Sequence, residues 1–373
     1  MSEISISSHD VDVLEKRFTC WNSLPMELKV KVVRNLPYPT LRNFMFLSKE
    51  CMEIALLLKA SVHAVFLLDA EYGMDDEDGV RGVRSFAKIV VNDRPHGSSD
   101  ADSESYTIGF AGRSCIARRI KKEGQNVGGL EYPMESCYAV SMRVLFQITK
   151  YLKPEIVGLE LVNIRDVKGA LRKLPSTSSL TCEALTVRST DLSFLPMLMP
   201  HVTPGCQLRF QCDPFSFGVL SNNVNSEVFD FEVVKAAPFI DIDVNCDISD
   251  EQLVHLRASE LRVTWRAPGI SEKGLNGLIL QWMEGRRKIV RICITTKTFN
   301  YDMIFENVDK TKVQSNSLEL LQIPFFDKYV ESYPRYERLA LLRNGLGDRL
   351  LVNISFNFCE IVDPYSEYMS RYR

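Results

Sequence analysis

Residues 156–161 read IVGLEL and residues 183–187 read EALTV. In both, every second residue is apolar, the period of a strand that buries one face and leaves the other wet. Working outward, strand cores centre on Leu159, Leu185, Leu208, Ile240, Leu261 and Ile292, at spacings of 26, 23, 32, 21 and 31 residues. Short helices fit between them. Ser249-Asp-Glu-Gln252 has the spacing of a capping box, in which two otherwise orphaned backbone N–H groups are satisfied reciprocally. Ser271 opens a further helix, and Gly285 is placed to stop it, because glycine takes the left-handed C-terminal position without steric cost. The spacings are too uneven for a well-formed leucine-rich array. Residues 155–373 therefore read as an irregular strand–helix, leucine-rich-repeat-like solenoid.

Upstream, VHAVFLL (62–68), FAKIVV (86–91), SYTIGF (105–110) and CIARRI (115–120) read as strands, and the last two can pair. The polar stretches EYGMDDEDG (71–79) and NDRPHGSSDADSES (92–105) read as flexible loops. An amphipathic helix is expected over 135–152, with Val140, Val144, Leu145, Ile148 and Leu152 on one face. Residues 60–154 are thus a connecting segment of strands, charged loops and one helix, and residues 1–20 a loose polar tail.

The bulk numbers exclude several classes. The 373 residues are 45% hydrophobic and 25% charged, an ordinary globular balance. A net charge of −3, from 45 basic and 48 acidic residues, argues against a dedicated nucleic-acid binder. MSEISISSHDVDV lacks the basic start and apolar core of a secretory signal. The longest apolar run, around ALLL (55–58), falls far short of the ~20 residues of a membrane span. Ten cysteines without a CxxC pair read as reduced, mostly buried thiols. The expected compartment is the cytoplasm and/or the nucleus, with no membrane partner.

No catalytic pattern survives inspection. His9, His63, His96, His201 and His255 show no metal spacing and no HExxH. MDDEDG (74–79) would put Met74 and Ser85 at the first and last positions of a calcium loop, so it fails as an EF-hand. GFAGRS (109–114) lacks the gap and the Gly-Lys-Ser/Thr end of a P-loop, and GxSxG is absent. The expectation is therefore no enzyme, no catalytic residue, no metal and no cofactor. RSCIARRIKK (113–122) holds five basic residues and no acidic one. It reads as the solvated face of a hairpin with Ile116 and Ile120 inward, or as a nuclear-import or phosphate-binding patch.

WNSLPMELKVKVV (21–33) poses a different problem. Met26, Leu28, Val30, Val32, Val33 and Leu36 span an arc of about 200°, interrupted by Lys29, twice the usual stripe of a one-sided helix. Such a helix needs two covers: further helices through 40–58, set off by Pro37 and Pro39, and something else. Pro25 suits the first turn, where its missing N–H is not needed.

Trp21-Asn-Ser-Leu24-Pro25-Met-Glu27-Leu28, then Val32-Val33-Arg-Asn-Leu36, Leu41, Phe44 and Leu47-Ser48-Lys49, resemble an F-box over residues 21–59. Cys51 departs from the pattern where many members carry an aromatic residue nearby. The resemblance implies a three-helix module docking on the Skp-type adaptor of a cullin–RING ubiquitin ligase. By position it makes Leu24, Pro25, Leu28, Val32, Leu36 and Leu41 adaptor-facing, with Val30, Val33 and Phe44 in the module's own core.

Residues 249–294 are similar to the nematode-type (type 2) F-box-associated domain. The likeness rests on Leu253, Leu256, Leu261 and Val263, then Leu275-Asn276 and Trp282-Met-Glu-Gly285. ERLALLRNGLGDRLLVNISFNFCEIV (337–362) resembles that family's closing hairpin, its turn being Arg343-Asn344-Gly345-Leu-Gly347 and its Asp-Gly signal shifted to Asp348. Read from the residues alone, Trp282 shares a helical face with Leu275, Leu278 and Ile279 and belongs to a core. Asn276 reads as a polar residue at a helix–strand joint.

The resemblances imply a substrate-recognition adaptor of an SCF-type ligase, contacting a cullin through the Skp-type adaptor and a protein target of unknown identity through the C-terminal region. The alternatives are an adaptor-bound scaffold without a role in degradation, and a nucleic-acid-associated protein acting through 113–122. For the target surface only Trp265 and Arg266, just past an expected strand, are singled out.

Overall fold

A computed structural model describes residues 21, 23–36, 40, 41, 44, 47–58, 60–69, 86–92, 105–111, 115–120, 126–132, 135–161, 167–212, 223–295, 299–314, 336–355 and 358–366. The tail 1–20, the loop 71–79, residues 93–104 and the breakers Pro37 and Pro39 lie outside them.

Helices α1 (Met26–Val33) and α2 (Lys49–Leu58) come first. The Pro25 carbonyl accepts from Leu28 N at 3.0 Å and Lys29 N at 3.1 Å, so the proline starts α1 with no N–H wasted. Val33, Leu41, Ile54 and Ala55 form a small buried cluster, with Trp21, Val30, Leu36, Phe44 and Leu58 packed around it.

Strands β1 (Ala60–Asp69), β2 (Phe86–Asn92), β3 (Ser105–Ala111), β4 (Cys115–Ile120) and β5 (Asn126–Tyr132) form an antiparallel meander. The pairing of β3 with β4 matches the sequence reading. β5 escaped it, because the Gly128-Gly129 pair breaks the alternation that marks a strand. Helix α3 (Cys137–Tyr151) is capped by the Ser136 side chain, which accepts from Ala139 N, and runs straight into β6 (Leu152–Leu161).

Thereafter strands and short helices alternate: α4 (Val167–Arg172), β7 (Ala184–Ser189), α5 (Leu195–Leu198), β8 (Gln207–Gln211), β9 (Asn223–Val224), α6 (Glu232–Lys235), β10 (Phe239–Asp243), β11 (Asn245–Cys246), α7 (Asp250–His255), β12 (Glu260–Val263), α8 (Glu272–Met283) and β13 (Arg291–Ile294). The end of the chain supplies α9 (Tyr301–Ile304), β14 (Val313–Gln314), β15 (Tyr336–Arg343), β16 (Arg349–Ser355) and β17 (Cys359–Val362).

The protein is thus a mixed α/β structure with one 15-stranded sheet, in the order β14-β15-β16-β17-β13-β12-β10-β8-β7-β6-β1-β2-β3-β4-β5. From β13 to β1 neighbouring strands run parallel, and beyond both ends they turn antiparallel. β9 and β11 pair separately.

Leu185, Leu208, Ile240, Leu261 and Ile292 lie directly opposite one another, strand by strand. Leu159 is offset: it faces Val187, and Val157 occupies the row. The same row continues through Val65 and Val91 on one side and through Ile361, Val352 and Ala340 on the other, every member buried. Each fully buried aliphatic side chain of this kind contributes about 1.5–3 kcal/mol. The chain spacing is uneven because the crossovers differ, α7 having 6 residues and α8 having 12. The ladder registers residues across strands and is indifferent to how much chain lies between them.

The boundary expected at 154/155 needs correction. It falls inside β6, which pairs along its length with β1 from the segment read as a connector. One core cluster runs from Val62 to Ile361 and takes in α3, so residues 60–154 complete the sheet instead of linking two bodies.

Candidate docking surfaces

Leu28 and Val32 stand one helical turn apart on α1 and are 44% and 56% exposed, while Lys29 and Val33 on its other side are buried. Met26 is also exposed, as are Leu47, Met52 and Leu57 around α2. Of the residues expected to face an adaptor, Pro25, Leu28 and Val32 are at the surface and Leu24 is half-buried. Leu36 packs partly against the module's cluster. Leu41 is a correction: only 3% exposed, it lies inside that cluster beside Val33, Ile54 and Ala55, where it helps close a core that has few other buried side chains.

Lys29, read as an interruption of the apolar arc, is turned inward. Its Nζ donates to Glu50 Oε1 at 2.6 Å and lies 5.6 Å from the centroid of the Trp21 ring, which itself meets Phe44 edge-on.

A second surface is the outer face of the parallel strands. Thr186, Arg209, Asp241, Arg262, Cys293 and Glu360 form one row across six strands. Beside it run Glu160, Arg188, Gln211 and Asp243, tied by Arg188, which donates to Glu160 Oε1 and to Gln211 Oε1 at 3.3 Å each. Arg209 lies over the Phe239 ring at 5.2 Å, and Arg291 Nε donates to Glu360 Oε1 at 2.8 Å. Burial pushes the Asp241 carboxyl above its ordinary value, against the pull of Arg262, Arg209 and Arg291.

Trp265 stands at the rim of this face, nearly half exposed, and its indole N–H donates to Asp243 Oδ1 at 3.0 Å. The Thr264 hydroxyl donates to the same oxygen. This fixes an exposed aromatic ring in one orientation, the property of an interface anchor. Arg266 is exposed next to it. Sequence reasoning singled out the Trp and the Arg but not Asp243, because the strand pairing that brings β10 beside β12 leaves no mark in local sequence.

The expected helix signals appear where the residues put them. Ser249 and Gln252 make both bonds of the capping box. At the end of α8, Gly285 has φ 71°, Gly285 N donates to Trp282 O and Arg286 N to Gln281 O, which closes the helix as a Schellman motif. Trp282 is a core residue at 5% exposure. Asn276 is corrected: it sits within α8, and its Nδ2 donates to Ile304 O and Glu306 O, holding the segment after α9 against the helix.

Among the described residues no group of three or more His, Cys, Asp or Glu is placed to hold a metal ion. Burial raises the Cys246 thiol to about 12 and the Cys293 thiol to about 11, so both stay protonated and unreactive. The basic stretch 113–122 contributes β4, inside the meander between β3 and β5; its arginine side chains lie outside the described residues. No helix of the described residues is long and apolar enough to cross a membrane. Compared with family models, with curated proteins and with solved structures, the chain has no match.

Proposed function

We propose that this chain is the substrate receptor of a cullin–RING ubiquitin ligase. In this reading residues 21–59 are an F-box that docks on a Skp-type adaptor, and the strand–helix region is a leucine-rich-repeat-like solenoid that presents its outer face to a protein target. The observation that carries the reading is the pair Leu28 and Val32, exposed on a helix whose opposite side already has its own core. Apolar side chains at i and i+4 on one helical face are what helix-in-groove recognition uses. Such a protein works by placement, raising the effective concentration of the target near the charged ubiquitin carrier with no chemistry of its own, in the cytoplasm or nucleus.

Co-purification of the chain with a Skp-type adaptor tests this. The double variant Leu28→Asp, Val32→Asp should abolish the association while leaving the fold intact. Retention of the adaptor by the correctly folded double variant would overturn the assignment. Depletion of the protein should then raise the level of whatever co-purifies through the outer face; unchanged levels point to a scaffold.

A further inference from the structure

β4 and α3 each bring a cysteine to the same place. Cys115 opens β4, opposite Tyr132 of β5, and Cys137 opens α3, directly after its cap Ser136. Both side chains lie in the main core, 0% and 3% exposed, and their thiols are hydrogen-bonded to one another. With no CxxC among the ten cysteines, nothing in the spacing along the chain joins these two.

The surroundings make the two sulfurs unequal. Cys137 occupies the first position of a 15-residue helix with no acidic residue in its first turn, so the positive end of the helix favours a thiolate there. Glu135, just before the cap, is neutralised by Arg143, whose Nη1 and Nη2 donate to its two oxygens at 2.7 and 3.1 Å. Arg143 also lies 5.5 Å from the centroid of the Tyr132 ring. The hydrogen bond donated by the Cys115 thiol holds the Cys137 thiol below its ordinary value, against the opposing effect of burial. The same bond, burial and Glu135 push Cys115 the other way. One thiol thus ionises first while its neighbour keeps its proton, the division between an attacking and a resolving cysteine.

A second thiol contact shows that proximity alone is not the criterion. Cys182 and Cys206, just ahead of β7 and β8, stand with their sulfurs 3.4 Å apart, and the Cys206 thiol donates to Gln207 O at 3.2 Å. Neither lies at a helix N-terminus, and the hydrogen bond with Cys206 together with burial pushes the Cys182 thiol up. That pair stays protonated and serves as the internal comparison.

We propose that Cys115 and Cys137 form a peroxide-sensitive dithiol that closes reversibly to a disulfide joining β4 to α3. The Cys137 thiolate attacks hydrogen peroxide: an S–O bond forms, the O–O bond breaks, and the departing hydroxide takes up the proton that Cys137 lost and leaves as water. The Cys115 sulfur then attacks the Cys137 sulfenic acid. The S–S bond forms, the S–O bond breaks, and the Cys115 proton goes to the departing hydroxyl as a second water. Two thiols are oxidised to one disulfide while one peroxide is reduced to two waters, and a thiol reductant reverses the step. At 3% exposure Cys137 is reached by a water-sized oxidant when the first turn of α3 opens, and bulkier reagents are kept out. The bond ties the antiparallel meander to the helix that runs into β6, so peroxide stiffens the junction with the parallel strands. None of this depends on the substrate-receptor reading.

The test exposes the purified, fully reduced full chain to hydrogen peroxide, blocks the remaining thiols and maps the peptides without reduction. The expected product is one disulfide-linked pair carrying Cys115 and Cys137, with Cys182 and Cys206 still free. The melting temperature should rise by about 5 °C, a gain that dithiothreitol abolishes. In Cys115→Ala, oxidation should stop at a sulfenic acid on Cys137, which dimedone traps; in Cys137→Ala, no adduct should form on Cys115. The proposal is overturned if Cys115 and Cys137 remain free thiols at a peroxide dose that oxidises Met303, which is half exposed. It is equally overturned if a Cys182–Cys206 bond forms as fast, or if dimedone labels Cys115 in Cys137→Ala. The mapping of the unsubstituted chain needs no variant to fold, so it decides the matter even where a core substitution fails.

Discussion

The Lys29 ammonium lies 2.6 Å from the Glu50 carboxylate, tying α1 to α2 through a lysine that is only 5% exposed. Removing the carboxylate would strand a buried charge. Glu50→Ala is expected to destabilise the helical pair by about 2 kcal/mol, less than the roughly 3–5 of a fully buried pair, because the Glu50 side chain is 37% exposed. Lys29→Met keeps the apolar stem and should be close to neutral. Hydrogen exchange of the α1 amides reads both: faster in the first variant, unchanged in the second.

The two sides of α1 should separate in mutagenesis. Leu28→Asp and Val32→Asp change exposed positions and should leave the melting temperature nearly unaltered, while abolishing adaptor binding. Ile54→Ala and Leu41→Ala open the module's core, and each is expected to cost about 2–5 kcal/mol. Thermal melts alongside adaptor pulldowns check it; a stability loss in Leu28→Asp equal to that in Leu41→Ala would place Leu28 in the core.

Gly158 in β6 lies under the ring of Phe66 on β1, close enough that an added Cβ would overlap the ring. Gly158→Ala is expected to cost about 1–3 kcal/mol through overpacking. Phe66→Leu should recover part of that loss in the double variant, because the obstruction is the ring itself. Urea denaturation of the two single variants and the double variant gives the coupling.

Asp241 gives a pH dependence with a definite sign. Burial holds its carboxyl above the ordinary value, so the folded state keeps the proton more tightly than the unfolded chain. Its contribution is fully present below the unfolded value of about 3.9 and is lost as the pH rises through the folded value. Asp241→Asn should therefore raise the melting temperature at neutral pH, and the gain should vanish toward about pH 4. A gain that is independent of pH would mean the carboxyl is not the cause.

Much of the fold is legible because its signals are short-range. Strand alternation placed five residues, Leu185, Leu208, Ile240, Leu261 and Ile292, that prove to stand opposite one another. Ser249, Ser271 and Gly285 marked helix ends through bonds spanning two to five residues. A helical wheel marked α1 as carrying more apolar surface than one cover can hide, and the F-box resemblance, by position, gave Leu28 and Val32 as the residues turned outward. Locality also misled: a wheel has no inside, so Lys29 read only as an interruption of the apolar arc, and Leu41, turned to a partner by position in the resemblance, lies in the module's own cluster.

Several helix ends, the centres of the parallel strands and the excess of apolar surface on α1 are therefore readable from local sequence, whereas β5 is not. Which strands are neighbours, and with them the continuity of β1–β5 and α3 with the parallel strands, emerges from the folded chain. β1 lies between β2 and β6 although 82 residues separate the end of β1 from the start of β6 in the chain numbering. Arg291 meets Glu360 across 69 residues, Trp265 finds Asp243, and the Cys115 thiol meets that of Cys137. Periodicity and capping act within a turn or two of chain, whereas strand order and buried charge pairs depend on which surfaces the whole sheet brings together.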